Sequence, residues 1–283
     1  MRLRGVIRYH RARDTEEALS LLASYAGAGH LLAGGVDLAR SPRTDIEGLI
    51  DITSSGLSGV ELSQRGGLHI GAATTLGELV ESSTAGRYCG GILPEVLREF
   101  SAPPLRNMAT LGGAVVSAHP WADVPTLLVA LGAEVRWTDG TERTVPLEEV
   151  YAGAFRNLFR RAVLTEIRLP PCRGGYAFWK LRRCAADVAM LNAACGIGLR
   201  EGRVEWAQVG VGATPSRGHR LPWLEELVQG EVPGEGLWEE VSAQVSAKLD
   251  TSDDRRVGAK WRRKAAGPLV ARTLARAAER ANR

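Results

Sequence analysis

The feature that most constrains the fold of this chain is a pair of glycine-bearing segments, each of which follows a short apolar run. The first is Leu31-Leu32-Ala33-Gly34-Gly35-Val36-Asp37, and the second is Ala109-Thr110-Leu111-Gly112-Gly113-Ala114. Glycine permits left-handed dihedrals and a close backbone approach, so such turns can present a cluster of N–H groups to a phosphate. Taken singly, either pair also fits a tight turn in an ordinary loop.

Short strands and helices alternate along the chain, and this order predicts an α+β fold. Predicted strands lie at residues 30–32, 49–52, 68–72, 135–137, 145–147, 176–183, 189–200 and 204–213. Four helices are predicted from their start signals. They begin near Asp14, at the capping box Thr75-x-x-Glu78, near Gly91 and at Asp123-Val124-Pro125.

A domain boundary is predicted where Pro170-Pro171 is followed by Gly174-Gly175. We therefore expect a first domain at residues 1–173, with subdomains of about 1–55 and 56–173. A C-terminal domain of antiparallel strands and helices is expected at residues 174–283.

The charge of the chain is concentrated near its C-terminus. The net charge of +4 is small for 283 residues, which argues against a general nucleic-acid-coating protein, and no recognised nucleic-acid module is present. From Arg255 to Arg283 there are ten Lys or Arg and one acid, Glu279. Arg272, Arg276, Arg280 and Arg283 share one helical face, opposite Val270, Leu274, Ala277 and Ala281. This pattern fits a solvated basic face, and a second interpretation is that the face docks an acidic partner subunit.

The four cysteines, Cys89, Cys172, Cys184 and Cys195, include no Cys-x-x-Cys pair. Their spacing argues against an iron–sulfur or structural zinc site in this chain, and we expect small buried residues in a reducing compartment. Nowhere do about 18 apolar residues run together, so we expect a cytoplasmic protein with no membrane segment.

Other familiar site motifs are excluded by spacing. The sequence contains no Gly-x-Gly-x-x-Gly after a strand and no P-loop, and therefore predicts neither a Rossmann site nor a nucleoside-triphosphate site of that kind. It also lacks His-Glu-x-x-His and Gly-x-Ser-x-Gly, and its five histidines are scattered. A self-contained hydrolase or metalloenzyme is therefore not expected.

At the two glycine segments the sequence resembles the FAD-binding medium subunits of the xanthine dehydrogenase and carbon monoxide dehydrogenase family of molybdenum hydroxylases. Ala33-Gly34-Gly35-Val36-Asp37-Leu38 is similar to the family's Ala-Gly-Gly-Thr-Asp-Leu. Arg106 to Ala114 is similar to its Arg-Asn-x-x-Thr-Ile-Gly-Gly-Asn, and Asp123 follows at the family's distance of nine residues. The likeness continues at 70–75, 176–187, 212–217 and Trp261-Arg262-Arg263.

The resemblance implies a PCMH-type, vanillyl-alcohol-oxidase-like fold with two α+β subdomains around FAD, followed by the C-terminal domain. It also implies partners: a large molybdopterin-binding subunit that hydroxylates the substrate and a small subunit with two [2Fe–2S] clusters. In such complexes the flavin of this subunit passes electrons to NAD or another acceptor.

The resemblance further implies which residues bind FAD. They form two pyrophosphate loops, an aspartate at the ribityl or phosphate region, an aromatic neighbour of the flavin and two further contacts. These residues are His30, Leu31, Leu32, Ala33, Gly34, Gly35, Val36 and Asp37; Thr110, Leu111, Gly112, Gly113 and Ala114; Asp123; Phe100; and Leu164 and Lys180.

Each single residue also has an ordinary structural interpretation. Asp123 fits a helix cap, Phe100 and Leu164 fit core positions, and Lys180 fits a solvated strand face. Ala114 stands where the family has Asn or Asp, Ser117 where Asn is frequent, and Val36 where Thr is usual. Loss of one hydrogen-bond partner at Ala114 would weaken FAD binding by about 0.5–1.5 kcal/mol. This departure favours an alternative function, a flavin-free scaffold subunit of the same complex.

Overall fold

The computed structural model describes residues 5–40, 43–153, 155–185 and 187–282. The chain divides into two compact units made of interleaved segments. The first unit takes its residues from 1–84, 101–117 and 134–169, and the second from 85–100, 118–133 and 170–283. The predicted boundary at residue 173 stays a prediction, and Arg283 of the predicted basic face lies outside the described residues.

Strands and helices are both present in each unit, and the predicted α+β class is confirmed. The described strands are β1 Arg8–Arg11, β2 Gly29–Leu32, β3 Gly48–Asp51, β4 Val60–Leu62, β5 Leu68–Gly71, β6 Glu134–Thr138, β7 Glu142–Pro146, β8 Val163–Leu169, β9 Gly175–Leu181, β10 Leu191–Arg200, β11 Arg203–Gly212 and β12 His219–Arg220.

The described helices are mostly short, and the longest ones lie near the C-terminus. They are α1 Thr15–Ser24, α2 Leu76–Glu81, α3 Ser83–Arg87, α4 Ile92–Arg98, α5 Pro103–Arg106, α6 Leu111–Ser117, α7 Asp123–Ala130, α8 Leu147–Ala152, α9 Phe155–Leu158, α10 Pro222–Val228, α11 Glu235–Lys248 and α12 Ala259–Ala281. Short 3-10 turns occur at Leu38–Arg40 and Tyr88–Gly91. Among these helices, none combines the length and the apolar character needed to span a bilayer.

The first unit contains two sheets. A parallel sheet has the order β1-β3-β2, with Leu31 on β2 opposite Ile50 on β3, and α1 packs its apolar side against it. Asp14 caps α1 by accepting from the N–H of Glu17, as the sequence predicts. The second sheet has the order β4-β5-β8-β6-β7, and its neighbouring strands are antiparallel.

The capping box in the first unit is confirmed. The Thr75 side chain accepts from the N–H of Glu78, and the Glu78 carboxylate accepts from the N–H of Thr75 at 2.7 Å. This reciprocal pair satisfies two amides at the start of α2, which would otherwise have no partner within the helix. It also fixes the chain direction just after β5, where the second glycine segment pairs with Thr75 through an isolated bridge at Thr110.

The second unit is built on one antiparallel sheet of order β12-β11-β10-β9. Strands β10 and β11 are joined at Glu201-Gly202, as predicted, and eight consecutive residues of β10 are buried. A strand that is buried this continuously is covered on both faces. Helix α7 packs against β10 and β11, and α12 packs against β9 and β10.

The expectation for the cysteines is wrong for three of the four. Cys195 is a buried thiol, and burial raises its pKa, but Cys184 is exposed. Cys89 and Cys172 form a disulfide, with their Cα atoms 5.4 Å apart. Sequence separation carries no information on this pairing, because it depends on how the 3-10 turn at Tyr88–Gly91 meets the chain that enters β9.

Candidate functional site

The first glycine segment is a turn at the end of a parallel strand. Strand β2 ends at Leu32, whose carbonyl accepts from the N–H of Ile52 at 2.9 Å, and the chain then leaves the sheet. Ala33 to Val36 are half-buried, Asp37 is exposed, and Gly35 has a φ of +67°. A side chain is strained in that conformation, so glycine at this position follows from the turn.

The amides of this turn take no part in the hydrogen bonds of the described fold. Within the described part of the chain, the N–H groups of Gly34, Gly35 and Val36 donate to no other protein group. Consecutive backbone donors without an internal acceptor form an anion-binding concavity. The turn therefore fits a pyrophosphate, which would supply the missing acceptors.

The structure brings the two glycine segments together inside the first unit. A Cβ added to Gly34 would lie 1.8 Å from the carbonyl oxygen of Met108 and 3.0 Å from the Cα of Ala109. Real Cβ atoms do not approach backbone this closely, so residue 34 must be glycine for the first turn to rest on the start of the second segment.

Most amides of the second segment donate to groups inside the protein. The N–H of Leu111 donates to the Thr74 carbonyl at 2.9 Å, that of Gly112 to the Ala72 carbonyl at 2.8 Å, and that of Gly113 to the Thr110 hydroxyl at 3.1 Å. The expected strand-to-turn arrangement is thus replaced by the first turn of α6. Among the described residues, the N–H of Thr110 is the one amide of this segment without an acceptor, whereas the first segment has three such amides in a row.

Gly112 has a packing role in this arrangement. A Cβ at this position would lie 2.6 Å from the Ala72 carbonyl oxygen. Thr110, Leu111 and Gly112 are buried, whereas Gly113 is exposed and Ala114 is half-buried. The surface that α6 offers to a ligand therefore lies at Gly113 and Ala114, and Ala114 has no polar side-chain atom to offer.

Leu164 lies in the same unit as the second segment, and backbone hydrogen bonds link the residue after it to that segment. It is 4% exposed on β8, where it pairs with Trp137 of β6. The carbonyl of the next residue, Thr165, accepts from the N–H of Ala72, whose own carbonyl accepts from Gly112. Its core position agrees with the ordinary interpretation, and its contact with FAD stays a prediction.

His30 is the one titratable side chain of β2. It is half-buried, and its Nδ1 lies 2.8 Å from the carbonyl oxygen of Leu31. Burial lowers the pKa of His30, and the nearby Arg43 lowers it further. The imidazole next to the first turn is therefore neutral at pH 7.

In the second unit, Asp123 and Lys180 form a buried ion pair. Nζ of Lys180 donates to Oδ2 of Asp123 at 2.6 Å, and their side chains are 4% and 7% exposed. Asn192 donates from Nδ2 to the other carboxylate oxygen at 2.9 Å, and the Thr126 hydroxyl donates to Oδ1 of Asn192 at 3.0 Å. Every polar group here has a partner, which is the condition for a buried charge to be tolerated.

This geometry overturns two of the ordinary interpretations. Asp123 is the first residue of α7, after Ala122 at the N-cap, and its carboxylate binds Lys180 and Asn192 rather than capping the helix. Lys180 is buried rather than solvated, because β9 is covered on the face that carries it. Asn192 and Thr126 complete the network and were not among the predicted site residues. Their signal in the sequence is a polar side chain inside an otherwise apolar strand or helix.

Phe100 lies beside this network. It follows α4, is half-buried, and its N–H donates to the Leu97 carbonyl at 3.1 Å. The carbonyl of the preceding residue, Glu99, accepts a second hydrogen bond from Nζ of Lys180 at 3.2 Å. The second unit therefore brings Phe100, Asp123 and Lys180 together, while the first unit brings the two glycine segments and Leu164 together.

Comparison with known proteins places the chain in a family. The family model described as the FAD binding domain in molybdopterin dehydrogenase matches residues 5–172, and that of the CO dehydrogenase flavoprotein C-terminal domain matches residues 176–277. The carbon monoxide dehydrogenase medium chain of Afipia carboxidovorans is 31% identical, with 98% of each chain covered. The caffeine dehydrogenase subunit beta of a Pseudomonas species is 29% identical, over 96% of this chain and 95% of the relative.

A solved structure agrees with these relatives. The carbon monoxide dehydrogenase of Hydrogenophaga pseudoflava that lacks the Mo-pyranopterin moiety of its molybdenum cofactor matches with a TM-score of 0.91 and 26% identity. The match covers 98% of both chains, so it includes the sheet of each unit. The chain belongs to the FAD-binding medium subunits of the xanthine dehydrogenase and carbon monoxide dehydrogenase family of molybdenum hydroxylases.

Proposed function

We propose that this chain holds FAD as the electron-transfer subunit of a molybdenum hydroxylase complex. In this proposal a small partner subunit with [2Fe–2S] clusters delivers electrons that a large molybdopterin-binding subunit has taken from the substrate. This chain then passes them to NAD or another acceptor. The proposed complex is a cytoplasmic assembly of the three subunits.

The observation that carries the proposal is the first glycine turn. Its three consecutive amides at Gly34, Gly35 and Val36 lack an acceptor within the described chain, although the turn is half-buried. An unpaired backbone N–H shielded from water costs free energy, so a turn that keeps three of them open is suited to a ligand. The diphosphate of FAD supplies acceptor oxygens of the right charge.

Two further predicted contacts, Phe100 and Lys180, lie together in the second unit. Phe100 offers a half-buried ring, and the Lys180 ammonium is held in place by Asp123 and the Glu99 carbonyl. The pair carries no net charge, so its contribution is to hold the backbone beside Phe100 in place before a ligand binds. FAD, when bound, accepts electrons singly and delivers them in pairs, which requires no nucleophile from the protein.

The scaffold alternative is supported by a separate observation. The amides of Leu111, Gly112 and Gly113 bond within the chain, and Ala114 lacks a polar side chain. The second segment therefore contributes fewer donors to a ligand than its sequence suggests. A subunit with only one open turn could keep the fold and the assembly without the flavin.

The deciding experiment is to purify the complex with its native partners and measure flavin, molybdenum and iron in the same sample. We expect roughly one FAD per copy of this chain, identified after acid release, together with molybdenum and iron. A complex that contains both metals but neither contains nor takes up flavin would establish the scaffold alternative.

The role of the first turn is tested by Gly34→Ala. The added methyl group would meet the Met108 carbonyl at 1.8 Å, so the turn must move, and we expect the purified complex to lose most of its flavin. Gly86→Ala is the matched control, because Gly86 lies in α3 with nothing within 4 Å of an added Cβ. Full flavin content in Gly34→Ala would show that the pyrophosphate binds elsewhere.

A further inference from the structure

A disulfide joins two segments of the second unit that are 83 residues apart in sequence. Cys89 lies in the 3-10 turn that leads into α4, and Cys172 lies three residues before β9. Next to the disulfide, the Tyr88 hydroxyl donates to the Pro170 carbonyl at 2.8 Å. These contacts tie the beginning of α4 to the beginning of β9.

Helix α4 packs along β9, and we call this line of contact the α4–β9 seam. At its middle, Arg280 of α12 donates to the Glu95 carboxylate at 2.9 Å and to the Tyr176 carbonyl at 2.8 Å. At its far end, Lys180 donates to the Glu99 carbonyl at 3.2 Å. Among the described residues, the disulfide is the one covalent bond that joins the two sides of the seam.

The far end of the seam carries two of the predicted FAD contacts. Helix α4 leads to Phe100, and β9 carries Lys180. The two elements are therefore fixed to each other by a covalent bond at one end and by hydrogen bonds next to Phe100 and Lys180 at the other. Helix α4 is only seven residues long, so the disulfide at its beginning and the hydrogen bond to Glu99 at its end act on the same short element.

The backbone at Cys89 has a conformation that a free cysteine disfavours. Its φ is +46°, and the next residues, Gly90 and Gly91, also have positive φ, at +65° and +80°. Glycine adopts these angles readily, but a residue with a Cβ does so only where its surroundings impose it. When the bond to Cys172 is reduced, one constraint on the backbone of Cys89 is removed, and we expect φ of this residue to shift to a more favourable value.

The disulfide has one cysteine on the surface. Cys172 is exposed and Cys89 is half-buried, in contrast to the fully buried Cys195. Thiol–disulfide exchange requires an attacking thiolate to reach one sulfur in line with the bond, and the exposed Cys172 allows this. A buried structural disulfide would offer no such access.

We propose that Cys89 and Cys172 are a redox modification site that locks the α4–β9 seam when oxidised and loosens it when reduced. In the closing reaction the two S–H bonds break and one S–S bond forms. The two electrons and two protons pass to a low-molecular-weight disulfide, which becomes two thiols. A dithiol reverses the reaction and is itself oxidised to a cyclic disulfide. The consequence for flavin retention rests on the proposed function, but the effect on the seam does not.

The experiment uses the native complex, incubated with dithiothreitol or with oxidised glutathione. Alkylation and peptide mapping are expected to show Cys89 and Cys172 bridged in the oxidised sample and alkylated in the reduced one, without unfolding. Hydrogen exchange is expected to accelerate by about tenfold or more in residues 92–100 on reduction. Flavin release is expected to accelerate in the same sample.

Cys172→Ser is expected to reproduce the reduced state under both treatments, and Cys184→Ser, at an exposed cysteine outside the seam, is the matched control. If Cys172→Ser fails to assemble, the dithiol treatment of the unaltered complex decides the question. The proposal is overturned if the two cysteines never pair, if the dithiol leaves the disulfide intact, or if exchange in residues 92–100 is equal in both states. A complex without flavin would refute the proposed function but leave the thiol mapping and the exchange comparison decisive.

Discussion

Removal of the Lys180 ammonium tests the buried ion pair quantitatively. In Lys180→Met, the Asp123 carboxylate keeps Asn192 as a donor but loses its cationic partner, in a site where its side chain is only 7% exposed. The Glu99 carbonyl also loses its donor. Breaking a buried pair from one side costs about 3–5 kcal/mol. This is a large part of the roughly 5–15 kcal/mol that stabilises a folded domain.

The free energy of unfolding can be measured by urea titration with tryptophan fluorescence. Lys180→Met is expected to lower it by about 3–5 kcal/mol. The double variant Lys180→Met/Asp123→Asn is expected to lose less than the sum of the single variants, by about 0.5–3 kcal/mol, because no charge is left unpaired. Lys260→Met, at an exposed lysine of α12, is the control, with an expected change within about 0.5 kcal/mol. A Lys180→Met variant as stable as this control would refute the buried-pair argument.

Two further predictions concern single residues of the first unit. Burial holds the pKa of His30 below its ordinary 6.5, so the unfolded chain binds more protons in the range below that pH. The contribution of His30 to stability therefore rises with pH up to about 6.5 and then levels off. His30→Gln should reduce this slope in paired urea titrations, and an unchanged slope would contradict the assignment. Ala114→Asn restores the family's polar side chain at a half-buried position, and one added hydrogen bond should lower the Kd for FAD by about two- to tenfold. Equal Kd values in a fluorescence titration would show that residue 114 does not reach the cofactor.

Local sequence signals predicted most elements of the fold because the chemistry that makes them is local. The caps at Asp14 and Thr75, and the turn at Glu201-Gly202, all form where the sequence indicates. Each depends on residues within three or four positions of one another. The family resemblance gave the overall architecture, which the match to a solved carbon monoxide dehydrogenase supports.

The two glycine pairs show where local reasoning stops. Gly34-Gly35 and Gly112-Gly113 have the same composition and both follow apolar residues. Their amides differ because the Ala72 carbonyl lies within 2.8 Å of the Gly112 N–H, whereas the Met108 carbonyl packs against the Cα of Gly34 without accepting from its N–H. Both arrangements depend on contacts with residues that are tens of positions away in the sequence. The spacing within a motif carries no information on such contacts.

The need for a buried partner at Asp123, by contrast, could have been inferred from the sequence with one more step. All eight residues of α7, Asp123-Val124-Pro125-Thr126-Leu127-Leu128-Val129-Ala130, are buried, and its apolar residues cover every face of the helix. A helix without a polar face lies inside the protein, so the carboxylate in its first turn is removed from water as well. A carboxylate in that setting requires a cation, and the structure identifies it as Lys180 of β9, which is buried although the neighbouring Trp179 is 42% exposed. An apolar helix that starts with an acid is therefore a sequence signal for a buried ion pair, and that ion pair explains why β9 buries its Lys beside an exposed Trp.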